Sequence, residues 1–243
     1  MKTYSEKMRL QIRDCDLNAA WRPGALQQAL QEISGAHSLL LGAGRDSLLD
    51  MGVVWILTRI EVRMDRYPKV DENIELETFP TPCRRWFFPR WYRIRDDQGK
   101  EIGRAGSLWA LLDLHERKMI QPGKVAALMP DNRDLPAPIG LPATVTQVSG
   151  TLSAAEYMPR YSDIDLNGHV NNTRYVDWAC DALGIDAMRD YELAHFAVNY
   201  NQEIRPGETV HTELRRMGNV FSFSGTVDGR NHFDLGGELR PRS

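Results

Sequence analysis

The 243-residue sequence predicts an α+β protein made from one unit used twice. Three observations carry that reading. Asp16-Leu-Asn-Ala-Ala20 returns as Asp165-Leu-Asn-Gly-His169 at an offset of 149 residues (165 − 16). Val62–Ile74 returns as Val198–Val210, equal in length, at an offset of 136 (198 − 62). In both copies a strand and a helix come first and a series of strands follows, which is the order of an antiparallel α+β unit and not of alternating βαβ. The change of offset leaves the first copy 13 residues longer between helix and strand (149 − 136).

Taken in order, Met8–Ile12 reads as a short strand leading into the first Asp-x-Asn turn. Ala25, Leu26, Ala29, Leu30 and Ile33 then recur at helical spacing. Trp55–Val62, Asn73–Phe79, Arg85–Arg95 and Glu101–Leu112 are rich in branched and aromatic residues and read as strands, with Asp96-Asp-Gln-Gly99 as a hairpin turn. Five prolines within 121–145 mark a linker, placed at 126–146 between a first domain, 1–125, and a second, 147–243. After it a strand near 147–157 precedes a helix, Asn171–Leu183, with the stripe Tyr175, Val176, Trp178, Ala179, Ala182 and Leu183. Strands are expected near 195–202, 208–216, 219–228 and 232–240.

Composition narrows the function. With 42% hydrophobic and 26% charged residues the chain has the make-up of a globular protein. A net charge of −3 and the lack of a long Lys/Arg run give no basis for nucleic-acid binding. No apolar stretch approaches the roughly 20 residues a membrane span needs. Three widely spaced cysteines (Cys15, Cys83, Cys180) and an opening Met-Lys-Thr-Tyr-Ser-Glu without an apolar core place the protein in the cytoplasm. The six histidines show no metal-ligand spacing and there is no glycine-rich phosphate loop, so neither metal nor cofactor is expected.

The chemistry concentrates in the second copy. Asp165, Asn167 and His169 stand at alternate positions ahead of an apolar helix, whereas the first copy has Ala20 where His169 stands. A carboxylate and an imidazole can orient and deprotonate water, and free N–H groups opening the helix can stabilise an oxyanion, a set suited to hydrolysing an activated acyl group such as a thioester. The plainer reading of Asp-x-Asn-Gly is a turn that caps a helix. Asp16 and Asn18 fit that reading in this same chain.

Ser162-Asp-Ile-Asp-Leu-Asn-Gly-His-Val-Asn-Asn-Thr-Arg-Tyr175, Trp55-Ile-Leu-Thr-Arg59, Arg66-Tyr-Pro68 and Tyr200-Asn-Gln-Glu203 together resemble the acyl-acyl carrier protein thioesterase family. The resemblance implies a double hotdog, two tandem repeats that each wrap an antiparallel sheet around a long helix. It implies catalytic roles for Asp165, Asn167, His169 and Glu203, leaving open which carboxylate activates water or attacks directly, and an acyl pocket supplied mostly by the first half. Plant members carry a cysteine after that glutamate, whereas this chain has Ile204; a cysteine nucleophile is not expected. The implied activity is release of fatty acid from acyl carrier protein, as a monomer or a homodimer. The rivals are hydrolysis of acyl-coenzyme A and a non-catalytic acyl-binding protein. Trp55 and Arg59, with Trp86 and Trp91 from the aromatic and basic stretch Arg84–Arg95, are the candidate substrate-binding residues. That stretch reads equally as a strand with a buried aromatic face and a solvated arginine face.

Overall fold

In the computed structural model, which describes residues 1–242, strand pairing carries both copies into a single antiparallel sheet. Its first half comprises β1 (Tyr4–Arg9), β2 (Val53–Met64), β3 (Asn73–Pro80), β4 (Phe88–Asp96), β5 (Glu101–Asp113) and a two-residue β6 (Met119–Ile120) paired to β5. The second half comprises β7 (Thr151–Tyr157), β8 (Tyr191–Tyr200), β9 (Val210–Met217), β10 (Val220–Val227) and β11 (Arg230–Pro241). The order is β1-β3-β4-β5-β2-β8-β11-β10-β9-β7, so each half repeats the other in reverse about the β2–β8 joint. At that joint Glu61 pairs with Ala197, and a shift of 136 residues (197 − 61) carries one onto the other. The offset read from sequence is therefore the pseudo-twofold register of the sheet.

Four helices pack on one face: α1 (Pro23–Leu40), α2 (Arg45–Leu49), α3 (Arg174–Leu183) and α4 (Ile185–Asp190). Pro23 opens α1, where its missing N–H has no partner to lose, and Leu26, Leu30 and Ile33 form its buried stripe. α3 buries Tyr175, Val176, Trp178 and Ala179. The two helices touch where Gly24 meets Asp177; a Cβ at Gly24 would collide with that carboxylate. Burial raises the Asp177 pKa, while Arg174 at 2.7 Å and Arg22 at 3.7 Å oppose the rise. One core runs beneath both halves and through the joint, with Ile60 and Val62 beside Val198 and Phe196. A smaller cluster, Ala43, Leu48, Val53, Phe88, Leu111 and Val125, belongs to the first half alone.

The 13 additional residues of the first half have a clear location. α1 has 18 residues against 10 in α3, and the connection 41–52 replaces the shorter 184–190. Several expected boundaries move for local reasons. The helix expected from Asn171 starts at Arg174, because the Asn171 side chain captures the Thr173 N–H at 3.0 Å. The strand expected from 147 starts at Thr151, because the N–H groups of Val145 and Val148 donate to Asn199 Oδ1 (2.8 Å) and Ser222 Oγ (3.1 Å) instead of a ladder. β4 starts at Phe88 after a tight Arg84–Phe87 turn with Arg85 at φ 57°. α2, α4 and β6 are too short for periodicity to reveal.

The proline-rich segment does not hang free. It crosses the outer face of the sheet, where Asn132 Nδ2 donates to the carbonyls of Lys2 and Pro80, both at 2.8 Å, and Pro136 O accepts from Arg93 at 2.9 Å. Among the described residues no helix is long and apolar enough to cross a membrane.

Candidate active site

The loop 165–169 is held by its own carboxylate. Asp165 Oδ1 accepts the N–H groups of Asn167 at 2.8 Å and His169 at 3.4 Å, and the Asp165 N–H donates to His169 O at 2.8 Å. Gly168 turns the chain at φ 79°, in the left-handed region where glycine is unstrained. The Val170 N–H donates to Ile204 O at 2.8 Å and moors the loop to the segment that carries Glu203. Through this mooring His169 Nε2 comes within 3.3 Å of Glu203 Oε2. Asp165 Oδ2 receives only a long contact from Asn167 Nδ2, at 3.4 Å, and so keeps acceptor capacity.

Glu203 is restrained from several sides. Its Oε1 accepts from Arg117 at 2.5 Å and Arg205 at 2.6 Å, and its backbone carbonyl accepts from His232 Nδ1 at 3.0 Å. Burial pushes its pKa up, but hydrogen bonding to Arg205 and the charges of His169, Arg117 and Arg205 outweigh this and hold it below the ordinary value. Glu203 is thus a fixed anion, suited to orienting His169.

Asp165, Asn167, His169 and Glu203 all line one cleft of about 580 Å³, together with Tyr175, Tyr200 and Arg117. Beside it lies a cavity of about 400 Å³ in the first half, walled by Ala43, Leu48, Leu49, Val54, Phe88 and Met129. Gln31, Trp55, Trp109 and Asn167 line both, so the two spaces meet there. The longer α1 and the 41–52 connection form one wall, so the residues that distinguish the first half are those that build the apolar space. Arg90 also lines this cavity, buried and bonded only to neutral acceptors: His37 Nδ1 and Ser38 Oγ at 3.1 Å and Thr78 Oγ1 at 3.3 Å. Burial lowers Arg90 to about 10, and burial with the Arg90 charge lowers His37 to about 4.

Of the four candidate substrate-binding residues, Trp55 sits at the junction, its Nε1 donating to Ala43 O at 2.9 Å. The other three line neither space. Arg59 would share the face of Trp55 in a regular strand, but the bulge between Leu57 and Arg59 reverses the alternation and sets Arg59 opposite outward-facing Asn199. Trp91 packs on Gly106 under Ile139 of the proline-rich segment, on the outer face. Trp86 is 39% exposed in the turn before β4. β4 therefore sends Phe88 and Arg90 toward the cavity and Trp91 and Arg93 outward, so neither reading of that stretch gives the observed split.

The N–H groups of the turn ahead of α3 are mostly engaged, whereas those of Tyr175 and Val176 in its first turn have no acceptor among the described residues. The N–H of Val170 bonds Ile204 O, that of Asn171 bonds Asp163 O, and those of Thr173 and Arg174 bond Asn171. Within 170–174, only the Asn172 N–H has no acceptor among the described residues, and Asn172 lines the cleft. Sequence reasoning also missed Arg117 and Arg205. Arg205 follows Glu203 by two residues, a spacing that could have flagged it; Arg117 gives no such clue.

The copy of this loop in the first half is closed. Asp16 Oδ1 accepts the N–H groups of Asn18 at 2.8 Å and Ala20 at 3.1 Å, reproducing the turn. Asp16 Oδ2 is taken by Arg242 at 2.6 Å, and Asn18 Nδ2 donates to Met188 O at 3.0 Å. Tyr67, at the position of Glu203, is buried with its hydroxyl on Leu193 O at 2.9 Å.

The family model described as the acyl-ACP thioesterase N-terminal domain matches residues 1–124, and that of the C-terminal domain matches 148–232. A crystal structure of an acyl-ACP thioesterase from Bacteroides thetaiotaomicron superposes with a TM-score of 0.87 at 25% identity, covering 98% of each chain. The 12:0-ACP thioesterase from Umbellularia californica superposes with a TM-score of 0.84 at 19% identity over 99% of this chain and 98% of that one, a likeness of fold. A chloroplastic oleoyl-acyl carrier protein thioesterase from Coriandrum sativum is 23% identical over 225 residues, 86% of this chain. The chain spans 61% of that relative's length.

Proposed function

We propose that this chain, which belongs to the acyl-acyl carrier protein thioesterase family, hydrolyses fatty acyl thioesters of acyl carrier protein in the cytoplasm and releases the free acid. The observation that carries the reading is Asp165. It is a carboxylate with one oxygen engaged by two backbone N–H groups of its own loop and the other by Asn167 Nδ2 alone, at 3.4 Å, in a cleft that opens into an apolar cavity. The acyl chain lies in the first-half cavity, and the carrier arm enters by the second-half cleft.

Asp165 Oδ2 takes a proton from water as the water oxygen bonds to the thioester carbon. The carbonyl electron pair moves onto its oxygen, then returns as the C–S bond breaks and the thiolate leaves. His169, oriented by anionic Glu203, serves the proton transfers to that thiolate, and Asn167 holds the substrate carbonyl or the water. Thiolate is a good leaving group, so this scheme requires no metal.

The test is thiol release from a panel of acyl chains presented on acyl carrier protein and on coenzyme A. Faster turnover on the carrier protein, abolished in Asp165→Ala and kept in Asn18→Ala, is the expected result. Preference for the coenzyme A esters would reassign the carrier. Binding of acyl chains without hydrolysis would overturn the enzyme reading.

A further inference from the structure

The reaction puts negative charge on the thioester oxygen, and in the turn 170–174 ahead of α3 only the Asn172 N–H is left without an acceptor among the described residues. α1 of the first half carries a further donor. Gln31 lines both the apolar cavity and the catalytic cleft, so it sits where acyl chain and carrier arm join. Its Oε1 is buried and receives no hydrogen bond. Its Nε2 has no acceptor among the described residues either, yet is not among the buried unpartnered atoms, so the amino end of the carboxamide is the accessible one. One turn earlier on the same helix face, Gln27 Nε2 bonds the Tyr200 hydroxyl and Asn172 O, which fixes this face of α1 against the cleft wall.

We infer that the Gln31 carboxamide, contributed by the first half, donates from Nε2 to the thioester oxygen in the active site of the second half, beside the free N–H of Asn172. This rests on the thioesterase reading above. An amide aimed at a developing oxyanion strengthens as charge builds, which accelerates the reaction without tightening substrate binding. It also gives a side chain with a buried, unpartnered Oε1 a reason to persist, since a leucine or methionine there would avoid an unsatisfied acceptor.

Gln31→Met keeps the length and removes the donor. It is expected to lower kcat by about 10²-fold with KM little changed. It should weaken an acyl trifluoromethyl ketone, whose hydrate mimics the oxyanion, by a similar factor. Binding of a thioether analogue lacking the carbonyl should be unaffected. The thermal midpoint should hold or rise, because the variant removes an unsatisfied acceptor; a packing role would lower it. Gln31→Glu, which keeps the acceptor and loses the donor, should lose activity to at least the same extent and guards against misfolding of the first variant. Wild-type activity with Gln31→Met within about twofold of it, or equal weakening of ketone and thioether, overturns the inference and leaves the thioesterase reading intact. A folded wild-type chain that hydrolyses no thioester overturns both.

Discussion

The two Asp-x-Asn loops have nearly the same backbone and opposite fates. In each, the aspartate Oδ1 takes the N–H groups two and four residues on. The difference lies in the other oxygen. Asp16 gives Oδ2 to Arg242, whereas Asp165 Oδ2 accepts only from Asn167 Nδ2, at 3.4 Å, and Asp165 lines a cleft shared with His169 and Glu203. A turn-forming aspartate is thus compatible with either structure or chemistry, and its second oxygen decides which. The longer α1 and 41–52 connection, which enclose apolar space in the first half, complete the division of labour.

The largest test exchanges the two aspartates. Asp165→Asn is expected to reduce kcat by about 10³-fold at nearly unchanged stability. Asp16→Asn is expected to leave kcat near wild type and to destabilise the fold by about 1 kcal/mol, because Arg242 exchanges a half-buried carboxylate for a neutral acceptor. Calorimetry and turnover on the same preparations check both, and equal kinetic losses would erase the distinction. The next test compares Glu203 with Tyr67. Glu203→Gln should cost about 10²-fold in kcat, whereas Tyr67→Phe should cost only about 1 kcal/mol of stability through the lost bond to Leu193 O.

A third test uses acid. His37 titrates near 4 in the folded chain against an ordinary 6.5, so between these values the unfolded chain binds a proton that the folded one excludes. Its contribution is complete above pH 6.5 and is lost as the pH falls toward 4. The thermal midpoint should drop across that window in wild type, with a shallower slope in His37→Gln; parallel slopes would locate the acid lability elsewhere. The smallest effect concerns the turn itself. Ala19 adopts φ 56° where Gly168 adopts φ 79°. Ala19→Gly should therefore stabilise by about 1 kcal/mol, and Gly168→Ala should destabilise by a similar amount, both read from denaturant midpoints.

What sequence disclosed was what depends on local backbone or on internal repetition. The duplicated loop, the order of the longer elements and the 136-residue repeat were legible, because Asp-x-Asn turns and strand alternation act over a few residues; that this offset is the joint between the halves was not. Arg59 and Trp91 were misplaced because a strand's face is set by register: a bulge after Leu57 reverses the face of Arg59, and Trp91 alternates with the inward Arg90. Arg90 escaped notice because a guanidinium in a mixed basic and aromatic run reads as solvated, and only the packing of α1 on β4 shows it buried. Arg117 and Gln31 reach the cleft only once the halves share a sheet, so no short window contains their function.

The Arg242–Asp16 contact joins points 226 residues apart in sequence. A closure of that span repays its entropy only when everything between it is already in place. It is expected to form among the last contacts during folding and to open among the first under stress. The disused loop thereby acquires a kinetic role: Asp16 and Asn18 remain shielded from hydrogen exchange only while β11 and the helices of the second half are docked against the first. Exchange at this corner would report the integrity of the whole chain, although the proposed chemistry takes place elsewhere.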